Sequence, residues 1–342
     1  MHNPLLKSLF HLALLAALLA ATVAGLRTAT PGREYISFTR KLNDFTDCKD
    51  SVDMVFIGTS RFHRAIDPTT LEAGLAARGV HLRSYNFGVR GLCYGEAMYV
   101  LSRILDQEPA RLRYVVFETD MFPGNRAKKR DTLKSSYWRE PQTLWPQLRQ
   151  DVGGRQYRSL RQVVHLADLA FHNLKASLTN MLYIGEGPFL LQWAWDAPAC
   201  PGSKQGEKGF YCFEMEYTAQ EIAKWRPRNL KKTLAEKIKR VVPTTALGAK
   251  NALYIRDMLD LARDRGLRPL LMTMPGMPRR YKQDPELLHT RIINMNTPEI
   301  MGQALSPEHY FNAVHLNCAG GRRFSALLAE RLATVLDQDA SP

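Results

Sequence analysis

Three short strand-like runs separated by helical segments constrain the fold of this chain more than any other feature. The runs lie at 52–58, 82–87 and 112–118, and segments with helical periodicity lie between them at 68–78 and 92–105. Each run has the length of a buried strand and ends at turn residues. Strands that alternate with helices pair in parallel, because each helix carries the chain back across the sheet. The pattern therefore predicts an α/β fold with a parallel central sheet.

The alternation stops after the third run and resumes near residue 250. Residues 121–246 are rich in aromatic and basic residues, with helical stretches near 158–182 and 218–240. A helix, a strand and a last amphipathic helix follow at 251–266, 268–275 and 318–336. We therefore predict a large, mostly helical insertion after the third strand. The predicted organisation is an N-terminal segment 1–30, a linker 31–50, a first core segment 51–120, the insertion 121–246 and a second core segment 247–337.

The N-terminal segment is apolar enough to enter a membrane. Ser8 to Leu26 carry no formal charge, and Lys7 and Arg27 flank them. This length fits a spanning helix and also the core of a signal peptide. Thr22-Val23-Ala24 is only a fair cleavage site, so the sequence favours an uncleaved N-terminal transmembrane helix over a removed signal.

The charge balance indicates acidic partners. The chain has 47 Lys and Arg against 33 Asp and Glu, a formal net charge of +14. Such an excess favours phospholipid head groups, anionic polysaccharide or nucleic acid. The basic cluster at 128–130 is typical of a solvated loop, and no basic cluster forms a recognisable nucleic-acid motif, so we expect no nucleic-acid partner. No C-x-x-C or His/Cys pair has zinc spacing, and we expect no metal or cofactor.

Five cysteines allow two disulfides in an oxidising compartment. Cys200 and Cys212 enclose a short segment rich in Gly and Lys, and a local disulfide would close such a flexible loop. We predict that this pair is bridged. Cys93 and Cys318 are interpreted as small buried thiols at the starts of helices.

Ser60 stands where the first predicted strand ends, in VFIGTSRFHRAIDP. In open α/β sheets, ligands bind beyond the carboxyl ends of the strands, so a hydroxyl there faces a crevice. The alternative is that Ser60 only caps the helix that follows. Both interpretations remain open from this stretch alone.

Three distant motifs together favour a catalytic role for Ser60. They are Gly58-Thr59-Ser60, NFGVRG at 86–91 and YFNAVHLNCAGGRRF at 310–324. Over residues 50–120 and 248–337, the chain resembles the SGNH/GDSL hydrolase superfamily. The resemblance implies a three-layer α/β/α sandwich with a flavodoxin-like parallel sheet. It also implies that Ser60 is the nucleophile, that His315 is the general base, and that Ser60 and Gly88 donate backbone N–H groups to an oxyanion hole.

Two positions depart from the family pattern. Asn312 stands where the family has the aspartate three residues before the histidine. An asparagine can orient the imidazole through its side-chain oxygen, but it lacks the charge that stabilises imidazolium. Phe117-Glu118-Thr119-Asp120 replaces the family's Gly-x-Asn-Asp. The oxyanion asparagine therefore has no direct match, and Asn125 is the candidate for it.

Three charged residues near these motifs have candidate roles of their own. Glu118 and Asp120 follow the third strand, where either carboxylate could serve His315 in place of Asn312. Arg61 follows the proposed nucleophile, where it could bind an anionic or carbonyl group of a substrate or form a salt bridge at the helix start.

The membrane segment, the Gly-Thr-Ser-Arg turn, the insertion and the late His-Leu-Asn resemble the extracytoplasmic branch of the superfamily. That branch includes proteins of teichoic acid D-alanylation and polysaccharide O-acetylation, which work beside a membrane-bound O-acyltransferase. We therefore expect a membrane-anchored, periplasmic acyl esterase or O-acyltransferase acting on an acyl ester or cell-envelope polysaccharide. One alternative is a catalytically degenerate SGNH domain that binds glycan or acts as a scaffold. Another is a lipase or phospholipid esterase.

Overall fold

A computed structural model describes residues 4–29, 38–119, 121, 138, 160–182, 207–239, 249–275 and 290–340. The chain forms two compact units. The first comprises Met1–Thr39 and Asn125–Ala199, and the second comprises Arg40–Gly124 and Cys200–Pro342. The second unit thus includes residues 200–246, which the sequence assigns to the insertion.

The second unit contains a five-stranded sheet in which every neighbouring pair is parallel. The predicted α/β class and parallel sheet are confirmed. The strand order is β2-β1-β3-β4-β5. In this doubly wound order, ligands bind at the carboxyl ends of the strands, at the point between β1 and β3 where the strand order reverses. The strands are β1 Met54–Gly58, β2 Ser84–Gly88, β3 Tyr114–Glu118, β4 Arg268–Thr273 and β5 Ile292–Asn294.

Eleven α-helices lie within the described ranges, together with short 3-10 turns and one π-helix at Glu299–Ala304. They are α1 Pro4–Ala29, α2 Phe38–Thr46, α3 Ser60–Ala65, α4 Pro68–Ala76, α5 Tyr94–Leu105, α6 Leu160–Leu182, α7 Phe213–Glu216, α8 Ala219–Trp225, α9 Leu230–Lys239, α10 Ala249–Asp264 and α11 Cys318–Ala340.

The core forms on both faces of the sheet. All five residues of β1 are buried, and because successive side chains point to opposite faces, both faces of this strand are covered. Helix α11 contacts both α3 and α4, and α5 and α10 form a second packed pair that contacts β1 and β4. The predicted helix at 218–240 is two helices, since Pro227 cannot continue α8.

The first unit contains α1 and α6, which contact each other. Within α1, Lys7–Gly25 is long and apolar enough to cross a membrane, and none of its side chains is fully buried. The prediction of an N-terminal apolar helix is confirmed to this extent. Phe38 packs on Trp138, with ring centroids 5.4 Å apart.

A glycine in α4 allows the closest packing between α4 and α11. A Cβ on Gly74 would lie 2.7 Å from the Ala329 Cβ, so Gly74→Ala should lower the free energy of unfolding by about 1 to 3 kcal/mol through overpacking. Denaturant unfolding of the full chain in detergent, followed by circular dichroism, measures this loss. Gly302→Ala is the control, because its Cβ would meet nothing closer than 3.6 Å. Equal unfolding midpoints for the two variants would contradict this close packing.

Candidate active site

The Gly58-Thr59-Ser60 turn is held by contacts on both sides of Ser60. Thr59 is the N-cap of α3, and its hydroxyl accepts a hydrogen bond from the Arg61 N–H. Ser60 is the first residue of the helix, so the alternative that Ser60 caps it is wrong. A Cβ on Gly58 would lie 2.6 Å from the Phe62 ring and 2.7 Å from the Glu118 carboxylate. Glycine is therefore required where the strand turns into α3.

Ser60 and His315 are brought together, as the resemblance predicts. The Ser60 Oγ lies 2.9 Å from the His315 Nε2. These residues are 255 positions apart in the chain, and both side chains are partly buried. A short loop presents His315: the Phe311 N–H donates to the His315 carbonyl, and Tyr310 pairs with Leu316 across the loop. The predicted contact between the Ser60 and His315 side chains, within hydrogen-bond reach, is confirmed.

Asn312 orients the His315 ring. Its Oδ1 accepts hydrogen bonds from the Val314 and His315 backbone N–H groups at 2.9 and 3.0 Å and lies 3.2 Å from the His315 Nδ1. Because backbone N–H groups only donate, the atom they meet is the amide oxygen. The ring then donates from Nδ1, which leaves Nε2 to accept the Ser60 hydroxyl proton. A neutral residue thus selects the tautomer that a general base requires.

The Glu118 carboxylate is bonded to Thr59 and Arg61. Glu118 is fully buried at the end of β3 and forms an ion pair with Arg61. It also accepts hydrogen bonds from the Thr59 N–H at 2.6 Å and the Thr59 hydroxyl at 3.1 Å. Glu118 therefore supports the Gly58-Thr59-Ser60 turn, and Arg61 makes the salt bridge that was one of its two predicted roles. Asp120 and Asn125 lie outside the described residues.

Gly88 fits a close approach between β2 and α3. A Cβ there would lie 2.1 Å from the His63 backbone nitrogen, so no other residue fits without moving the helix. The Gly88 N–H donates to the Asn86 Oδ1 at 2.8 Å. The oxyanion role predicted for Gly88 would require this hydrogen bond to be shared or released.

Two buried polar residues support this contact, and sequence reasoning missed both roles. The Asn86 side chain donates to the Phe62 and Ile66 carbonyls at 2.8 and 2.7 Å and so ties α3 to β2. The Lys41 Nζ donates to the carbonyls of Asn86, Gly88 and Gly209 at 2.6 to 2.9 Å. The position of Asn86 in the NFGVRG motif could have indicated a special role for it, whereas Lys41 lies outside every motif.

Positive charge surrounds His315. Burial, and then the charges of Arg64, Arg61, Arg90 and Lys237 in that order, lower the pKa of His315 to about 4. The imidazole is therefore neutral at pH 7 and able to accept a proton, but its protonated form is disfavoured.

Two of these cations, Lys237 and Arg64, also make contacts of their own. Lys237, on α9, donates to the Ala313 carbonyl at 2.7 Å and so contacts the loop that carries His315. Arg64 is buried over the Tyr211 ring, 5.6 Å from its centroid. Burial first, and then Arg90, lower the pKa of Arg64 to about 9.

A disulfide joins Cys212 to Cys318, with 5.1 Å between the Cα atoms. The predicted Cys200–Cys212 bridge is wrong, and so is the interpretation of Cys318 as a buried thiol. The prediction used closeness in the chain, whereas the fold brings the start of α11 to Cys212, 106 residues away. Cys200 itself lies outside the described residues. Cys93 is the half-buried N-cap of α5.

No protein-family model matches the chain, and no curated protein matches it. The SGNH/GDSL resemblance thus depends on the three motifs and on the geometry described above.

Replacing Asn312 with Asp should raise the pKa of His315. A carboxylate beside Nδ1 favours imidazolium, and we expect a rise of about one to three pH units. NMR titration of the His315 ring proton measures it, with His315→Gln used to assign the resonance. Asn317→Asp is the control, because Asn317 bonds to Glu308 and Gly320. A pKa near 6.5 in the wild type would contradict the cationic environment.

Non-reducing peptide mapping should recover Cys212 linked to Cys318 in protein exported to an oxidising compartment. The pairing follows from the 5.1 Å Cα separation, which is within the normal range for a disulfide. Cys48→Ser is a control that should leave the linked peptide unchanged. Recovery of Cys212 linked to Cys200, or of Cys212 and Cys318 as thiols, would contradict the pairing.

Proposed function

We propose that this chain is a serine acyl esterase or O-acyltransferase of the SGNH/GDSL type that acts on cell-envelope or exported polysaccharide. The observation that carries the proposal is the Ser60–His315–Asn312 array, with its two distances of 2.9 and 3.2 Å. The array lies beside the carboxyl ends of parallel strands, where open α/β sheets bind ligands. The SGNH sandwich is part of the proposal, and the strand order and the covered faces of β1 support it.

The proposed reaction has two halves. In the first, His315 Nε2 takes the Ser60 proton while Oγ attacks the acyl carbon, and His315 then gives that proton to the leaving alcohol. In the second, His315 deprotonates water or a sugar hydroxyl, which attacks the acyl carbon; the acyl–Oγ bond then breaks, and His315 returns the proton to Ser60 Oγ. Water gives hydrolysis, and a sugar hydroxyl gives transfer. No cofactor or metal enters either half.

The oxyanion of each tetrahedral intermediate needs hydrogen-bond donors. The Ser60 N–H is at the first position of α3, where backbone donors have no partner inside the helix. Gly88 would add a second donor if its hydrogen bond to Asn86 were released. Asn125 remains the proposed side-chain donor.

The proposed location is outside the cytoplasm, in the periplasm, with α1 as a single membrane anchor. The Cys212–Cys318 disulfide supports an oxidising compartment. The net charge of +14 supports an anionic partner such as polysaccharide. A membrane-bound O-acyltransferase is the proposed protein partner.

The main alternative is a degenerate SGNH domain that binds glycan or serves as a scaffold in an acylation complex. Three observations favour it: Asn312 is neutral, the pKa of His315 is lowered to about 4, and the Gly88 N–H is already bonded. A lipase or phospholipid esterase is a further alternative, supported by the basic charge and the apolar α1.

Incubation with an activated acetyl ester should place an acetyl group on Ser60, detected by mass spectrometry of the tryptic peptide. Ser60→Ala should remove the adduct and lower ester cleavage at least about 10³-fold, because the nucleophile is lost. Ser102→Ala, on α5, is the control and should behave as the wild type.

Glycan acylation in cells distinguishes the enzyme from the scaffold. The proposed enzyme loses acylation in Ser60→Ala and keeps it in Ser102→Ala. Full acylation with Ser60→Ala would overturn the catalytic proposal and favour the scaffold.

A further inference from the structure

Among the side chains described in α6, the buried ones are small or polar and most of the large apolar ones are exposed. Its buried face includes Asn173, Ala176, Ser177 and Asn180, which are between 0 and 6% exposed. In a helix packed on a water-soluble core, apolar residues occupy the buried face and polar residues the exposed one. Packing against the rest of the protein therefore does not explain why the described apolar residues of α6 are exposed.

Six of the described apolar residues of α6 form one exposed stripe. Phe171 is 63% exposed, and Leu160 is 80% exposed. The stripe residues are separated by three, four or seven positions, so they lie along one side of the helix over about 30 Å. We call this surface the apolar stripe, and it comprises Leu160, Val164, Phe171, Leu174, Leu178 and Met181.

Charged residues in the middle of α6 indicate how it would lie. At 100° per residue, Asp168 and Lys175 lie along one edge of the apolar stripe, and both are exposed. A helix crossing the bilayer would carry both charges near the hydrocarbon centre, at high cost. Among the described residues, α1 meets the length and hydropathy requirements of a spanning helix and α6 does not. A helix lying in the membrane interface accommodates both features, with the stripe among acyl chains and the charges among head groups.

The position of α6 beside α1 supports the same arrangement. The two helices contact each other. Of the side chains described in α1, at 7–25, Val23 alone is partly covered, near the carboxyl end of the apolar stretch. In a spanning α1 this end lies at the membrane surface.

We propose that the apolar stripe of α6 binds the surface of the lipid bilayer beside α1. The chain then contacts the membrane through two elements, a spanning helix and an interfacial helix. The proposal depends on α1 as the membrane helix and is independent of catalysis at Ser60.

The test uses the full chain in vesicles of phosphatidylcholine with one quarter phosphatidylglycerol. A fluorescent NBD label is placed at Phe171→Cys, Leu174→Cys or Leu178→Cys, one at a time. The matched control labels are at His172→Cys and Thr179→Cys, on the same helix but away from the stripe. The background keeps the Cys212–Cys318 disulfide and carries serine at Cys48, Cys93 and Cys200.

Stripe labels should be quenched by lipids with a doxyl group high on the acyl chain, and their iodide quenching constants should be at least about threefold lower than those of the control labels. A further Leu174→Glu change in the Phe171→Cys protein should remove this protection. Thr179→Glu should leave it intact. Circular dichroism of each labelled protein checks that helix content is kept, and three stripe positions guard against one variant that does not fold.

Two results would overturn the proposal. One is equal iodide quenching of stripe and control labels. The other is shielding by protein in place of lipid: the stripe is protected from iodide but is not quenched by doxyl lipids, or its protection rises with the protein-to-lipid ratio. This second result would mean that a second copy or another protein covers the stripe.

Discussion

The close approach of α3 to the end of β2 is the constraint on which the site depends. Gly88 allows it, since any Cβ there would collide with the His63 backbone. Asn86 fixes it by bonding to two carbonyls of α3, and the buried ammonium of Lys41 bonds to the carbonyls of Asn86 and Gly88. Unpaired polar groups are costly in a buried region, so these bonds leave α3 little freedom. Ser60, at the start of α3, is held accordingly.

The other end of the Ser60–His315 contact is held by independent means. The loop that carries His315 is closed by its own backbone hydrogen bonds and contacted by Lys237 through the Ala313 carbonyl. The disulfide fastens the start of α11 three residues after His315. A contact between residues far apart in sequence needs both partners to be positioned before it forms, because ordering them costs entropy. Here the contacts that order the two residues involve neighbouring side chains, backbone groups and the disulfide, and not the Ser60 and His315 side chains themselves.

Much of this arrangement was predictable from local patterns, and the rest depended on distant contacts. The strands β1 and β3 were predictable because each is a mainly apolar run, and β2 from its place in the alternation with helices, whereas β5 has three residues and carries no periodic signal. Ser60 and His315 could be paired because each stands in a motif of recognisable order. The partner of Cys212 and the role of Lys41 were not predictable, since each depends on which segments meet in space.

The electrostatics of the site act in opposite directions on the two charges that the proposed acyl transfer would create. In that reaction, attack of Ser60 on an ester would develop negative charge on the acyl oxygen and positive charge on His315. Arg61, Arg64, Arg90 and Lys237 disfavour the imidazolium, as the lowered pKa of His315 records. The same cations would favour the oxyanion.

Asn312 belongs to this balance. It orients the ring without adding the negative charge that would offset the cations, and Glu118 cannot supply that charge while it is paired with Arg61. In the proposed reaction the site would thus rely on its cations and backbone donors more than on a strong base. Attack by Ser60 should therefore be fastest on acyl donors whose carbonyl carbon is strongly electrophilic, because a base of low pKa accepts the Ser60 proton reluctantly.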